Sequence, residues 1–142
     1  MRYAYPFNQE PQPEGGFTIT FPDLPEAISE ADNDDQAQCQ AEQALVTALS
    51  FYTDEARPFP VPSPAHGRPL AHPPPLVAAK LALHDAMLAA SLSNSALARR
   101  LGMDEKAVRR LRDPLHRSHI GQIEAALRIL GKRLEVRVLE CA

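Results

Sequence analysis

The chain has 142 residues, 15 basic and 18 acidic side chains, and a formal net charge of −3. This length predicts one domain or two small ones, and a hydrophobic content of 44% excludes a wholly disordered chain. The sequence has no long apolar run for a membrane span, no signal peptide and only two, widely separated cysteines, so we expect a cytoplasmic protein without a disulfide framework.

The charges divide the chain into three segments. The acidic segment, residues 1–55, has one basic and eleven acidic side chains and a net charge of −10. The basic segment, residues 76–142, has twelve basic and seven acidic ones and a net charge of +5. The proline segment between them, residues 56–75, has two arginines and no acid. We interpret this division as two domains with partners of opposite charge, joined by a linker.

Strands are predicted at the start of the acidic segment. Aromatic or β-branched residues occupy every second position in Tyr3–Phe7 and Phe17–Phe21, a period typical of strands with one buried face. The Gly15-Gly16 pair between them supplies a turn, which predicts a hairpin. Pro22-Asp23-Leu24-Pro25 is expected to end the second strand, and a short third strand is expected at 27–30.

A helix is predicted to follow from Asp34 to Tyr52. Asn33 has the side chain of an N-cap, and Gln36 that of its capping-box partner. Small and apolar residues recur at helical spacing, which gives the helix one face for packing. The acidic segment is therefore expected to form a small antiparallel sheet with one helix.

The proline segment holds eight of the fourteen prolines of the chain. Each proline fixes φ and removes a backbone donor, so neither a helix nor a central strand is expected there. We interpret residues 56–75 as a semi-rigid linker of polyproline II character. The alternating prolines from Pro58 to Pro64 leave open a docking site for an SH3-like partner.

The basic segment is expected to be helical. Helices are predicted from Pro75 to about Ala90, from Asn94 to Leu101 and from Glu105 to about Arg112, with Ser93 and Asp104 as N-caps. The spacing around the last two helices is that of a helix-turn-helix, in which a small residue lets the helices cross, a glycine makes the turn and apolar residues fill the space between them. The seven matching residues are Leu97, Ala98, Leu101, Gly102, Met103, Val108 and Leu111.

In a helix-turn-helix, the second helix enters the major groove of DNA. Outward arginines on that helix pair with guanine or phosphate, and the preceding helix reaches phosphate. The residues expected to contact DNA are Asn94, Ser95, Arg99, Glu105, Lys106, Arg109, Arg110, Arg112 and Arg117. An ordinary solvated helix face and a protein-docking unit are the alternatives.

A further helix is predicted from Ile120 to about Leu130, ended by Gly131. Alternating apolar residues predict a final β-strand from Leu134 to Leu139. Because one strand is not stable alone, it must pair within the chain or with a second copy. Pairing with a second copy would give the homodimer or homotetramer that two operator half-sites require.

The sequence offers little for catalysis or cofactor binding. It has no Walker-type or dinucleotide-type glycine loop and no evident pair of nucleophile and histidine, so we expect no enzyme and no cofactor. His116 and His119 have the spacing of zinc ligands but lack a third ligand. Cys39 has no cationic neighbour to activate it and is interpreted as incidental. The carboxylates around Asp32 leave open a divalent-metal site, although they crowd a loop and a helix start, where they act as caps and solubilising charge.

The acidic segment resembles the N-terminal domain of HicB-type antitoxins. The resemblance rests on the first strand, on Gly15-Gly16-Phe17, on the sequence from Phe21 to Pro25 and on the alanine-rich helix after Asp32, whereas Glu26 and Ala31 stand where the family usually has glycine. It implies a partial ribonuclease-H-like fold without nuclease activity, which grips a small basic toxin. The residues expected to contact the toxin are Asp23, Glu26, Glu30, Asp32, Asp34 and Asp35.

Residues 76–140 resemble the helix-turn-helix tail of one branch of the same family. The matching stretches are 79–83, 97–102, 108–111, 126–127 and 130–134. Together the two resemblances imply an α+β antitoxin that neutralises a HicA-type toxin, a small ribonuclease that cleaves messenger RNA, and represses its own operon by binding operator DNA. Two alternatives stay open: a stand-alone transcriptional repressor whose acidic segment binds another ligand or protein, and an active metal-dependent nuclease.

Overall fold

The computed structural model describes residues 3–141, and its α+β architecture confirms the predicted fold class. Residues 1, 2 and 142, which belong to the predicted domains, lie outside the described residues. The strands are β1 (Tyr5–Pro6), β2 (Asn8–Pro11), β3 (Phe17–Phe21), β4 (Leu24–Ala31) and β5 (Leu70–Ala71). The helices are α1 (Asp34–Asp54), α2 (Pro75–Ala89), α3 (Asn94–Leu101), α4 (Glu105–Arg112) and α5 (Ile120–Ile129).

A three-stranded antiparallel sheet of order β2-β3-β4 forms most of the acidic segment. A hairpin is present around Gly15 and Gly16, which both adopt the positive φ that its turn requires. Its second strand is the predicted one, but its first strand is β2 rather than the predicted Tyr3–Phe7, because β1 pairs with β5 instead. The third strand is longer than predicted, since β4 covers Leu24–Ala31 rather than 27–30. Pro22 and Asp23 form the turn into β4, and the sheet continues beyond them.

Helix α1 packs on one face of this sheet. Its first turn is capped as predicted, because the side-chain oxygen of Asn33 accepts a hydrogen bond from the Gln36 N–H at 3.0 Å. The Gln36 side chain accepts in turn from the Asp32 N–H at 3.3 Å, one residue earlier than in a regular capping box. Side chains that are fully buried in this first core include Tyr5, Phe7, Ile19, Leu24, Leu45 and Leu49.

Helix α2 belongs to two hydrophobic cores. Val77 and Leu81 pack into the first core, with the sheet and α1. Leu83 and Met87 pack into a second core, which α2 shares with α3, α4 and α5. Because one helix is buried against both cores, it sets the position of the sheet relative to the C-terminal helices.

The proline segment contains no helix, as predicted, but it is packed along the first core. Leu70 and Ala71 form β5, which pairs antiparallel with β1. The Tyr5 hydroxyl donates to the Pro60 carbonyl at 2.6 Å, and the Phe59 ring lies against Tyr3 in an edge-on arrangement. These non-local contacts fix the segment to the molecule, so it does not act as a free spacer; its boundaries as a linker stay a prediction.

The predicted final strand is wrong for the single chain. Residues 132–141 contain no strand, although Gly131, at φ +74, follows α5 as predicted. Val136 and Val138 are exposed, at 72% and 96% of their surface. A strand needs a neighbour for its backbone groups, and none lies beside this segment within residues 3–141.

Candidate functional site

The open face of the sheet is acidic. Glu10 of β2 and Glu30 of β4 both lie opposite Thr18 of β3, so the three form one row across the sheet. Since alternate residues of a strand point to the same side, Glu26 and Ile28 share this face with Glu30. All three side chains of β4 are exposed, and the opposite face of the sheet is buried under α1.

A second group of carboxylates lies at the N-terminus of α1. Asp34 and Asp35 occupy its first turn, Asp32 precedes its cap, and all three are exposed. The free N–H groups of a helix start carry a positive partial charge, which these carboxylates offset. The Gln9 side chain donates a hydrogen bond to the Asp34 carboxylate and joins this group to the edge of the sheet.

Asp23 differs from the other predicted acidic residues because its carboxylate binds the proline segment and is only half-exposed. It accepts a hydrogen bond from the Ser63 N–H at 2.9 Å and another from the Ser63 hydroxyl. These bonds attach the turn between β3 and β4 to the proline segment. Asp23 therefore holds the acidic surface in place, while Glu26, Glu30 and the carboxylates at the start of α1 are exposed and can face a partner.

The helices α3 and α4 form the packed pair that the sequence predicts. The Ser93 hydroxyl accepts from the Ala96 N–H at 3.1 Å, and Gly102 follows α3 at φ +65. Asp104 precedes α4, but its carbonyl rather than its carboxylate receives the first helical N–H groups, so the predicted side-chain cap is absent. The buried residues between the helices are Leu97, Ala98, Val108 and Leu111.

Basic side chains are exposed along α4. Arg109 Nε donates to the Glu105 carboxylate at 2.7 Å, yet the Arg109 side chain remains 67% exposed. Arg110 lines two clefts of about 400 Å³ each, one together with Asn94 and Arg109 and the other together with Arg117. The remaining exposed members of the predicted set are Ser95, Arg99 and Lys106.

Arg112 is buried, which makes its prediction as an outward residue wrong. Nη1 donates to the side-chain oxygen of Asn94 at 2.6 Å, and Nη2 donates to Nδ1 of His84 at 2.6 Å. The helical period accounts for this position, because Arg112 follows the buried Val108 by four residues and shares its inward face. The outward prediction for Arg112 rested on its charge and did not take into account its spacing of four residues from the apolar Val108.

His84 links Arg112 to the proline segment. Its Nε2 donates to the Arg57 carbonyl at 2.7 Å, and its ring centroid lies 4.8 Å from that of Phe59. Because Nδ1 accepts from a guanidinium, the ring is neutral, with its proton on Nε2. Burial lowers the pKa of His84, the Arg57 carbonyl opposes that shift, and the Arg112 charge adds to it.

Lys80 is a second buried cation that sequence reasoning did not single out. Its Nζ donates to the Arg110 carbonyl at 2.7 Å and to the Ser118 hydroxyl at 2.8 Å. A cation at a helix C-terminus stabilises the helix, and Arg110 lies in the last turn of α4. Burial lowers the pKa of Lys80 to about 8, and the charge of Asp113 partly opposes this. The available signal was helical spacing, since the apolar residues Val77 and Leu83 lie three positions before and after Lys80 and share its buried face.

Within residues 3–141 no group of three histidine, cysteine, aspartate or glutamate side chains is close enough together to bind a metal ion. Both Cys39 and Cys141 are free and exposed. Across the same residues no single helix is long and apolar enough to cross a membrane. The helices α2 and α3 reach the length and apolar composition of a membrane span only when they are taken together, and they are bent by 108° relative to each other.

The sequence matches one family model over residues 4–82, described as the HicB-like antitoxin of bacterial toxin–antitoxin systems. It is 38% identical to Antitoxin HicB 2 of Photorhabdus laumondii over 136 residues, which is 96% of this chain and 95% of the relative. It is 35% identical to Antitoxin HicB of Escherichia coli K12, over 93% of this chain and 96% of the relative. It is 36% identical to Antitoxin HicB of Pseudomonas fluorescens, over 97% of this chain and 94% of the relative.

Proposed function

The chain belongs to the HicB-like family of bacterial antitoxins, and on that premise we propose that it neutralises a HicA-type toxin and represses its own operon. The toxin is expected to be a small ribonuclease that cleaves messenger RNA. One observation carries the proposal: two exposed surfaces of opposite charge, the acidic sheet and the basic face of α4, lie on one chain. The first suits a basic protein and the second suits DNA.

The acidic surface supports toxin binding. A ribonuclease needs basic side chains to hold RNA, and a segment with a net charge of −10 attracts such a surface and covers it. Bound there, the chain occupies the place that RNA requires, so neutralisation needs no catalysis by this chain. We assign toxin contact to Glu26, Glu30, Asp32, Asp34 and Asp35, with Asp23 as the residue that holds the β3–β4 turn.

The exposed face of α4 supports operator binding. With α4 in the major groove, Arg109 and Arg110 reach base edges or phosphates, and Glu105 orients Arg109. The residues assigned to supporting contacts are Asn94, Ser95, Arg99, Lys106 and Arg117. Arg112, being buried, is assigned to the position of α4 rather than to DNA.

We propose that the protein acts in the cytoplasm as a homodimer or homotetramer assembled through its C-terminal residues. The alternating apolar side chains of residues 134–138 lack a strand partner within the described chain. Pairing with the same segment of a second copy satisfies the backbone and brings two α4 helices to two half-sites.

Titration of the full-length chain with two ligands tests the proposal. The ligands are the purified HicA-type toxin encoded beside it and the DNA that precedes its own gene, with scrambled DNA as the control. We expect a stoichiometric toxin complex, and operator binding whose affinity falls steeply as salt rises. Operator binding without toxin binding would leave a stand-alone repressor, and binding of neither ligand would overturn the proposal.

A further inference from the structure

The strand β4 is an open edge of the sheet. It is the longest strand of the protein, with eight residues, and it pairs with β3 on one side while no other described strand lies on its second side. Natural proteins protect such edges with lysines, prolines or bulges, because the free N–H and C=O groups invite another strand. β4 has no lysine, and its one proline, Pro25, lies at its start. Its register with β3 is irregular between Leu24 and Ile28, whereas residues 28–31 pair regularly with β3 and leave a regular edge.

An apolar side chain lies at the centre of this edge. Ile28 is 64% exposed, whereas its neighbour Ala27 is buried. Beside it runs a groove of about 240 Å³ between β4 and α1, lined by residues 26–29 and by Gln40, Gln43, Ala44, Thr47 and Ala48. Ile28 therefore offers a strand added at this edge an apolar side chain to pack on.

We propose that β4 is the docking strand for the toxin, and that an extended basic segment of the toxin adds to it as a fourth strand of the sheet β2-β3-β4. This inference rests on the proposed function. Backbone hydrogen bonds along β4 provide affinity, and Ile28 packs on an apolar residue of the added strand. Glu26 and Glu30, two residues before and after Ile28 on the same face, select the partner by charge.

The same carboxylates exclude a second copy of this chain as the occupant. If two β4 strands paired antiparallel around Ile28, Glu26 of each would lie directly opposite Glu30 of the other. Like charges in directly opposed positions destabilise a strand pair. A register shifted by two residues would place Ile28 opposite a carboxylate, which is also unfavourable. The edge therefore discriminates against itself and favours a cationic strand.

The alternation of β4 defines the partner sequence. Residues of an added strand that face the same side as Ile28 recur at every second position. The complementary toxin strand therefore carries an apolar residue with a lysine or arginine two positions before it and two positions after it. This pattern places each cation opposite a carboxylate of β4 in either strand direction.

Hydrogen exchange of the full-length chain, free and bound to the purified toxin, tests the docking strand. We expect toxin binding to slow exchange of those backbone N–H groups in residues 26–30 that point away from β3, because an added strand accepts hydrogen bonds from them. A substitution provides the second arm: Ile28→Lys is expected to weaken toxin binding by roughly 30-fold or more. The matched control Val61→Lys changes another exposed apolar residue, 81% exposed in the proline segment, and is expected to leave affinity unchanged.

The outcomes separate this inference from the proposed function. Ile28 is exposed, so the variant is expected to fold, and unchanged operator binding by the variant verifies this. If the unmodified chain binds toxin while residues 26–30 gain no protection and Ile28→Lys binds normally, the docking strand is overturned and the antitoxin function stands. If the unmodified chain binds no toxin at all, the proposed function itself fails.

Discussion

The Nη2 atom of Arg112 lies 2.6 Å from Nδ1 of His84, and Nε2 of the same imidazole lies 2.7 Å from the Arg57 carbonyl oxygen. This series of hydrogen bonds joins α4 to α2 and to the start of the proline segment. Arg112 also binds Asn94, at the first residue of α3. The two helices proposed to meet DNA are thus fixed to the part of the chain that carries the acidic surface.

We predict that Arg112→Met destabilises the fold. The change removes the donor to the buried His84 nitrogen, and an unsatisfied buried group costs about 1–3 kcal/mol. It also removes the hydrogen bond to the half-exposed Asn94 side chain. Urea unfolding of the variant measures the loss. Arg110→Met, an exposed neighbour, is the control and should unfold close to the unmodified chain. Equal stability of both variants would show that the buried bonds contribute little.

Stability should fall below pH 6.5 because of His84. Burial, as the largest cause, lowers its pKa below the ordinary 6.5, so as the pH drops the unfolded chain binds a proton that the folded chain does not. This contribution is complete above pH 6.5 and is lost as the pH falls toward the folded-state pKa, by at most about 1.4 kcal/mol per pH unit. Urea midpoints of the unmodified chain at pH 7.5 and 5.5 measure the decrease.

Two variants test whether His84 causes this pH dependence of stability. His84→Gln should flatten the change between the two pH values, since glutamine does not titrate there. His72→Gln alters an exposed histidine and should preserve the dependence. The assignment to His84 is wrong if His84→Gln retains the full decrease.

Arg109 should contribute to operator binding. Arg109→Ala is expected to weaken binding by about 1–3 kcal/mol if the side chain meets a base, and to reduce the salt slope by about one unit if it meets a phosphate. Arg128→Ala is a matched control, because both arginines are exposed and each pairs with a glutamate one turn earlier. Fluorescence anisotropy of labelled operator DNA at several salt concentrations measures the affinity of each variant. Equal effects of the two changes would argue against α4 as the contact helix.

Gly16→Ala should cost more stability than Gly15→Ala. Both residues have positive φ, which costs a residue with a Cβ about 1–2 kcal/mol. At Gly16 the added Cβ would also lie 2.8 Å from the Ala31 carbonyl oxygen, whereas at Gly15 nothing lies within 4 Å. Thermal or urea unfolding of the two variants isolates this close approach of the hairpin turn to the end of β4. Equal losses would mean that the turn moves away from β4 at little cost.

Local patterns predict the elements of this fold well. The caps at Asn33 and Ser93 and the glycine turn at Gly102 follow from side-chain chemistry within a few residues, and the structure confirms each. The extent of β4 and the strand β5 depend on partners far along the chain. Leu70 and Ala71 form a strand only because β1 lies beside them, and no local period marks them.

Charge proved a weaker guide to the site than helical spacing. Arg112 and Lys80 were easy to see as cations, but their burial follows from apolar residues at helical spacing. Val108 lies four positions before Arg112, and Leu83 lies three positions after Lys80. Their partners, His84 and the Arg110 carbonyl, lie some 30 residues away along the chain. A single sequence cannot specify such pairs, because the contacts depend on how the helices cross.

Inhibition of RNA cleavage tests the central claim most directly. Purified HicA-type toxin is mixed with labelled messenger RNA and increasing amounts of the full-length chain, and the intact RNA is quantified. If the acidic surface covers the RNA-binding surface of the toxin, cleavage declines in proportion to added chain and stops when the binding sites of the two proteins are equal in number. Undiminished cleavage in the presence of a large excess of folded chain would contradict the account.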